Sequence, residues 1–262
     1  MNNQIKLPEA PATHSLIADI FRFINDRIGR NTIIGFYLGG SLALGDFDEE
    51  TSDVDVLIIV NKSIDSVMLD SLRQMHNDIR QQNKNRLYTN YEGVYLTAKQ
   101  AYDPTTIDMH APHLGSDGHF DIEDHGSELI IDLWKIRKSG FVVYGKDPMQ
   151  VIGNISNKDM IDAKVDLFKS WWLPKLESKE AMDDEYQVYA VLTMTRIVYG
   201  IANLDEVSKK KSAQWCIKKY PDYSSVIKDA QNWKPGNYFD AVERVYDFID
   251  FTNQHIKIYT KT

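Results

Sequence analysis

The chain has 262 residues, 43% apolar and 26% charged, with a formal net charge of −8, a length that allows one or two domains around a sizeable core. The negative balance argues against a general nucleic-acid binder, which needs a basic footprint, and is compatible with a cationic small-molecule partner. A single cysteine, Cys216, excludes a disulfide framework and a multi-cysteine zinc site, and no apolar run reaches the roughly eighteen residues of a membrane span.

The first segment, Met1 to Thr13, is polar and lacks the basic-then-apolar plan of a signal peptide, so a cytoplasmic protein is expected. Ile17, Ile20, Phe21, Ile24 and Ile28 recur at helical spacing, with Gly29 as the expected C-cap. Thr32–Leu38 and Val54–Val60 read as two short strands, and Met68, Leu72, Met75 and Ile79 mark an amphipathic helix between the second and a third at Glu92–Thr97. Residues 98–125 show no clear period and are expected to form a long loop. Ser127 is placed as the N-cap of a helix running to Arg137, followed by a strand at Phe141–Tyr144.

After about residue 155 only helical patterns follow. Ile161, Val165, Phe168 and Trp172 form one stripe, which Pro174 is expected to kink or end. A second stripe, Val188 to Ala202, carries enough apolar residues to be central. Shorter helices are expected at Ser208–Lys219 and Tyr223–Asn232, and a long last one carries Val242, Val245, Ile249 and Ile256. Strands mixed with helices, then helices alone, predict two domains: an α/β unit and a helical bundle.

Residues 36–60 carry the most chemistry. Alternation along a strand puts Asp53 and Asp55 on one face, at the start of an otherwise apolar run. Two carboxylates pointing the same way repel unless a cation sits between them, and hard oxygen donors suit Mg²⁺. Gly39, Gly40 and Ser41 stand where backbone N–H groups and a hydroxyl can approach a phosphate. Nucleotidyl transfer needs a third carboxylate, to bind a second metal or take the hydroxyl proton. Glu92, opening the third strand, is the candidate.

Gly-Ser, a loop, then Asp-x-Asp is the active-site pattern of the DNA polymerase β-like nucleotidyltransferase superfamily. Gly-Ser-Leu-Ala-Leu-Gly-Asp-Phe with Ser-Asp-Val-Asp-Val-Leu more closely resembles aminoglycoside adenylyltransferases of the streptomycin/spectinomycin type. The resemblance continues in Tyr91–Tyr95, His125–Ser127 and Ser139–Pro148, and then in Val191–Arg196, Ser208-Lys209 and Ala213–Trp215. It covers most of residues 33–235. It implies an α+β nucleotidyltransferase domain, a mixed sheet with flanking helices, over residues 1–154, and a C-terminal α-helical bundle over 155–262. ATP and antibiotic would bind in the cleft between them. The implied reaction is Mg²⁺-dependent transfer of AMP from ATP to a hydroxyl of an aminoglycoside or aminocyclitol, giving resistance.

Carried over by position, Asp53 and Asp55 hold metal, Glu92 is base and potential third ligand, and Gly40 and Ser41 meet the phosphates. Arg196 and Lys209 reach ATP, while Asp183, Asp184 and Glu185 take the drug's cationic groups. No membrane or nucleic-acid partner is expected, and a monomer is, with a dimer left open. The alternative acceptor is a lincosamide-like small molecule or a protein hydroxyl.

Two regions depart from the family: the acidic loop at 46–50, and the drug-contact region around Asp183, Asp184 and Glu185, which matches it least. The loop Asp46-Phe47-Asp48-Glu49-Glu50 is unusually acidic and would repel a triphosphate unless its carboxylates face away. His110, His113, His119 and His125, with Asp108, Asp117, Asp121 and Asp124, fit no zinc spacing, and a loop lining the substrate cleft is expected instead. Trp171, Trp172, Tyr186, Tyr189 and Tyr199 are expected to be mostly core at helical spacing, and Cys216 a buried small apolar residue.

Overall fold

A computed structural model describes residues 5–105, 109–178 and 181–261. Asp108, one of the acids of the histidine-rich segment, lies outside them. The chain divides into two compact units, Met1–Ile155 and Ser156–Thr262.

In the first unit the apolar stripe of α1 (His14–Ile28) buries Leu16, Ile17, Ile20 and Ile24. Strands β1 (Ile33–Leu38) and β2 (Val54–Val60) follow, separated by the short α2 (Gly40–Leu44). Then come α3 (Ser66–Gln82), capped by the Asp65 carboxylate accepting from the Met68 N–H, β3 (Tyr91–Thr97) and α4 (Ala98–Tyr102). The unit ends with β4 (His110–Leu114), β5 (Phe120–Asp124), α5 (Ser127–Ser139), β6 (Phe141–Gly145) and α6 (Pro148–Val151). The six strands form one mixed sheet in the order β5-β4-β3-β2-β1-β6, in which β2 and β3 run parallel and the other pairs antiparallel.

Residues 98–125 are therefore not a long loop: they hold a short helix and an edge hairpin. The hairpin strands carry charged and histidine residues where apolar ones would alternate, because cross-strand pairs stand in for packing on one face. His113 Nδ1 lies 2.9 Å from Glu123 Oε2 and His110 Nδ1 2.7 Å from Asp124 Oδ1. Helix α5 starts one residue earlier than read: Gly126 is the N-cap and the Glu128 carboxylate accepts from its N–H.

One face of the sheet packs on α1 and α3 through Phe36, Leu38, Val54, Val56, Ile58, Val60, Tyr91 and Tyr95. Below β3, the buried His76 ring bridges the hydroxyls of Tyr91 (2.8 Å) and Tyr95 (2.9 Å). Burial pushes this imidazole down to about 3, so it is neutral, donating to one hydroxyl and accepting from the other. With Tyr91 and Tyr95 pinned on the core side, pleating sends Glu92 to the opposite face.

The second unit opens with α7 (Asn157–Leu167), whose Ser156 and Asp159 form a reciprocal capping box. A π-helical turn, Phe168–Trp172, leads into α8 (Leu173–Ser178). Pro174 does not end the helix; the wider turn before it takes up the lost backbone donor. The same turn shifts the helical phase, so Trp172 is buried but Trp171 is 51% exposed, and Tyr189 is also exposed. Neither of the latter two is the core residue expected from spacing.

Helix α9 (Asp184–Asn203) packs against α10 (Lys209–Lys219), α11 (Ser224–Asn232) and α12 (Val242–Tyr259). Its inner face buries Val191, Met194 and Val198, and Cys216 is fully buried nearby, its thiol pushed up to about 12 by that burial. A buried ion pair, Lys164 with Glu206, anchors the turn between α9 and α10. Among the described residues no helix is long and apolar enough to cross a membrane.

Candidate active site

The three carboxylates expected to act together do meet at one end of the parallel pair. In the β2–β3 register Asp55 stands directly opposite Glu92, about 4.8 Å away strand to strand. Asp53 lies two residues before Asp55 and so on the same face, just outside β2, where it is exposed to solvent. Asp55 and Glu92 are half-buried. The apolar residues interleaved with them, Val54 and Val56, are held in the core on the other face, which fixes the direction of the acids.

The glycine turn closes over this end. The Gly39 N–H donates to the Asp55 carbonyl at 3.0 Å, extending the β1–β2 ladder by one bond. Gly40 then turns at φ +52°, and a Cβ there would stand 1.7 Å from Asp55 Oδ2. The glycine is thus required twice, by its left-handed backbone and by the carboxylate lying against it. The Ser41 Oγ is buried and has no hydrogen-bond partner among the described residues, as expected of a hydroxyl meant for a ligand. Gly40→Ala is expected to push Asp55 aside, cutting turnover by about 100-fold for a displacement of order 1 Å, while thermal denaturation shows only a modest loss of stability.

Crowded negative charge sets the electrostatics. Burial first, then the charges of Asp53, Asp132 and Glu92, pushes the Asp55 carboxyl up to about 7, with Lys135 opposing. Glu92 is also raised, by burial and then by Asp53; His113 and Arg80 pull the other way and Asp132 adds to the rise. Such a site favours a divalent cation, and its donors are the hard oxygens Mg²⁺ takes. Among the described residues no group of three or more His, Cys, Asp or Glu side chains is placed to hold a metal ion, so Asp53, Asp55 and Glu92 do not form the three-ligand set expected from the sequence.

Asp132 and Lys135 were not legible as site residues in the sequence. The only signal was their i, i+3 spacing on a helix otherwise apolar on its inner face; the ion pair they form measures 2.9 Å. The acidic loop is less paradoxical than its composition. Asp48 Oδ1 accepts from the Glu50 and Thr51 N–H groups and the Thr51 hydroxyl, and Asp48, Glu49 and Glu50 are exposed. Asp46 alone keeps a buried oxygen, Oδ2, without a partner among the described residues.

The remaining candidates belong to the second unit. Asp183 caps α9 by accepting from the Tyr186 N–H at 2.8 Å. With Asp184, Glu185, Trp233 and Tyr238 it lines an open cavity of about 360 Å³. Arg196 sits midway along α9, its Nε buried and without a hydrogen-bond partner among the described residues. Lys209 is the first residue of α10, following the capping Ser208.

Residues 17–98 match the nucleotidyltransferase domain model, and residues 150–256 match the model of the aminoglycoside adenylyltransferase C-terminal domain. The fold is similar to that of spectinomycin adenyltransferase AAD(9) from Enterococcus faecialis, solved with ATP and spectinomycin. That likeness has a TM-score of 0.73 at 18% identity and covers 93% of this chain and 99% of the other. No curated protein matches the chain in sequence.

Proposed function

We propose that this chain, which belongs to the aminoglycoside adenylyltransferase family within the nucleotidyltransferase superfamily, transfers AMP from ATP to a hydroxyl of an aminocyclitol or aminoglycoside. The observation that carries this reading is the Asp55–Glu92 register beneath the Gly39–Ser41 turn, which brings a charge-dense carboxylate group beside a phosphate-type cradle. Spectinomycin in the structural neighbour makes that aminocyclitol the first acceptor to test.

In the proposed reaction Glu92 accepts the proton of the acceptor hydroxyl. The freed oxygen attacks the α-phosphorus of ATP, a new O–P bond forms, and the bond to the β-phosphate bridging oxygen breaks, releasing pyrophosphate. A base whose carboxyl is raised by burial is better matched to a hydroxyl proton than an ordinary glutamate. Asp53 and Asp55 would hold Mg²⁺, which when bound supplies positive charge to the phosphate oxygens. Ser41 offers its unpaired hydroxyl to phosphate, and the unpartnered Nε of Arg196 supports a role in binding an anion, here the nucleotide. Lys209 is assigned to the nucleotide as well. Asp183, Asp184 and Glu185, lining a cavity with two aromatic residues, are suited to the acceptor's cationic groups.

Expression in a susceptible bacterium tests the biological side. Resistance to spectinomycin, streptomycin or both is expected, dependent on intact Glu92. Susceptibility across a panel of aminoglycosides with the protein present would argue for another acceptor.

A further inference from the structure

We infer that Asp132, on α5, recognises a cationic group of the acceptor beside the hydroxyl that Glu92 deprotonates; this rests on the adenylyl-transfer reading above. Helix α5 is packed against the carboxylate end of the sheet. A Cβ on Gly39 would stand 3.3 Å from the Ile136 side chain and 3.6 Å from Asp55 Cβ. Asp132 lies one turn before Ile136 on the same helix face, so it faces the strand ends where Asp55 and Glu92 are cross-strand neighbours.

The exposures divide the labour. Asp55 and Glu92 are half-buried, but the Asp132 side chain is 56% exposed and open to an incoming solute.

Lys135, only 15% exposed, holds Asp132 Oδ1 at 2.9 Å and so fixes the carboxylate's direction. An acceptor whose reacting hydroxyl sits at Glu92 and which carries an ammonium group nearby finds in Asp132 a solvent-facing anion on α5. A neutral acceptor gains nothing from that charge. Asp132 therefore favours amino-substituted acceptors within the first unit itself, separately from the acidic residues of α9.

The test compares the wild type with Asp132→Asn and Asp132→Glu, using spectinomycin or streptomycin, whichever is modified, and an N-acylated or otherwise charge-neutralised derivative. Steady-state KM for the acceptor and for ATP, and the Mg²⁺ requirement, are measured for each. Asp132→Asn is expected to raise KM for the cationic acceptor by about 10-fold or more, as for a lost charge-assisted contact. It should also abolish the preference for the cationic over the neutral form, and Asp132→Glu should restore part of it. An unchanged acceptor KM, or an equal loss on both acceptor forms, overturns the inference. So does a variant whose main defect is a higher Mg²⁺ requirement, which would make Asp132 a metal ligand. A wild type that modifies no amino-substituted acceptor overturns the functional reading, and this inference with it.

Discussion

Asp55→Asn is expected to lower kcat by about 10³-fold, the loss of charge stabilisation at a phosphoryl centre, while making the metal-free protein more stable at alkaline pH. The second half follows from linkage. In the folded chain the Asp55 carboxyl is raised from 3.8 to about 7, by burial and then by Asp53, Asp132 and Glu92. The folded state therefore holds a proton that the unfolded state releases. The stability tied to this group is fully present below the unfolded value and is lost as pH rises through about 7. At pH 8 the ionised Asp55 costs the metal-free fold a few kcal/mol, at roughly 1.4 kcal/mol for each tenfold change in proton affinity.

Asparagine removes that cost, so thermal melts in a chelating buffer should show the variant gaining over the wild type above pH 7 and gaining nothing below pH 4. Mg²⁺ should raise the wild-type melting temperature more at pH 8 than at pH 6, and leave the variant nearly unmoved. A wild type whose metal-free stability does not fall between pH 4 and 8 relative to Asp55→Asn would remove Asp55 from the strained, cation-seeking cluster.

Glu92→Gln carries the second large effect. Losing a general base costs typically 10²–10⁴ in rate, and the amide keeps the shape of the carboxylate, so ATP binding measured by calorimetry should stay within about threefold. The pH profile separates a catalytic from a structural role. A base must be ionised to act, so wild-type kcat should rise with pH through the raised titration of Glu92 and then level. In the variant the residual rate should lack that limb. Full activity in Glu92→Gln, or an identical acid limb, would assign the proton transfer elsewhere.

The chemistry of this chain was written locally, and so it was readable. Gly40 and Ser41 open the short α2 directly after β1, Asp53 and Asp55 stand at the start of β2, and alternation alone puts the two aspartates on one face. Pairing with Glu92 needed the parallel partner strand, which the β-rich run at 92–97 signalled. The edge hairpin at His110–Asp124 was not readable, because its strands are only five residues long and charge pairs such as His113–Glu123 replace the apolar alternation.

Asp132 was hidden for a different reason. Nothing in a helical stripe says which sheet face the helix covers, and its relation to Asp55 appears only once Ile136 is seated against Gly39. The exposure of Trp171 depended on a π turn, whose extra residue shifts the phase that helical spacing assumes.

The most direct measurement is mass spectrometry of the acceptor after incubation of purified protein with ATP, Mg²⁺ and spectinomycin or streptomycin, with pyrophosphate followed in parallel. The expected result is an acceptor heavier by one adenylyl group, pyrophosphate in equal amount, and neither product when Mg²⁺ is chelated or Glu92 is replaced by glutamine. Pyrophosphate release with no acceptor modified, or ATP cleaved instead to ADP and phosphate, would contradict adenylyl transfer to these drugs.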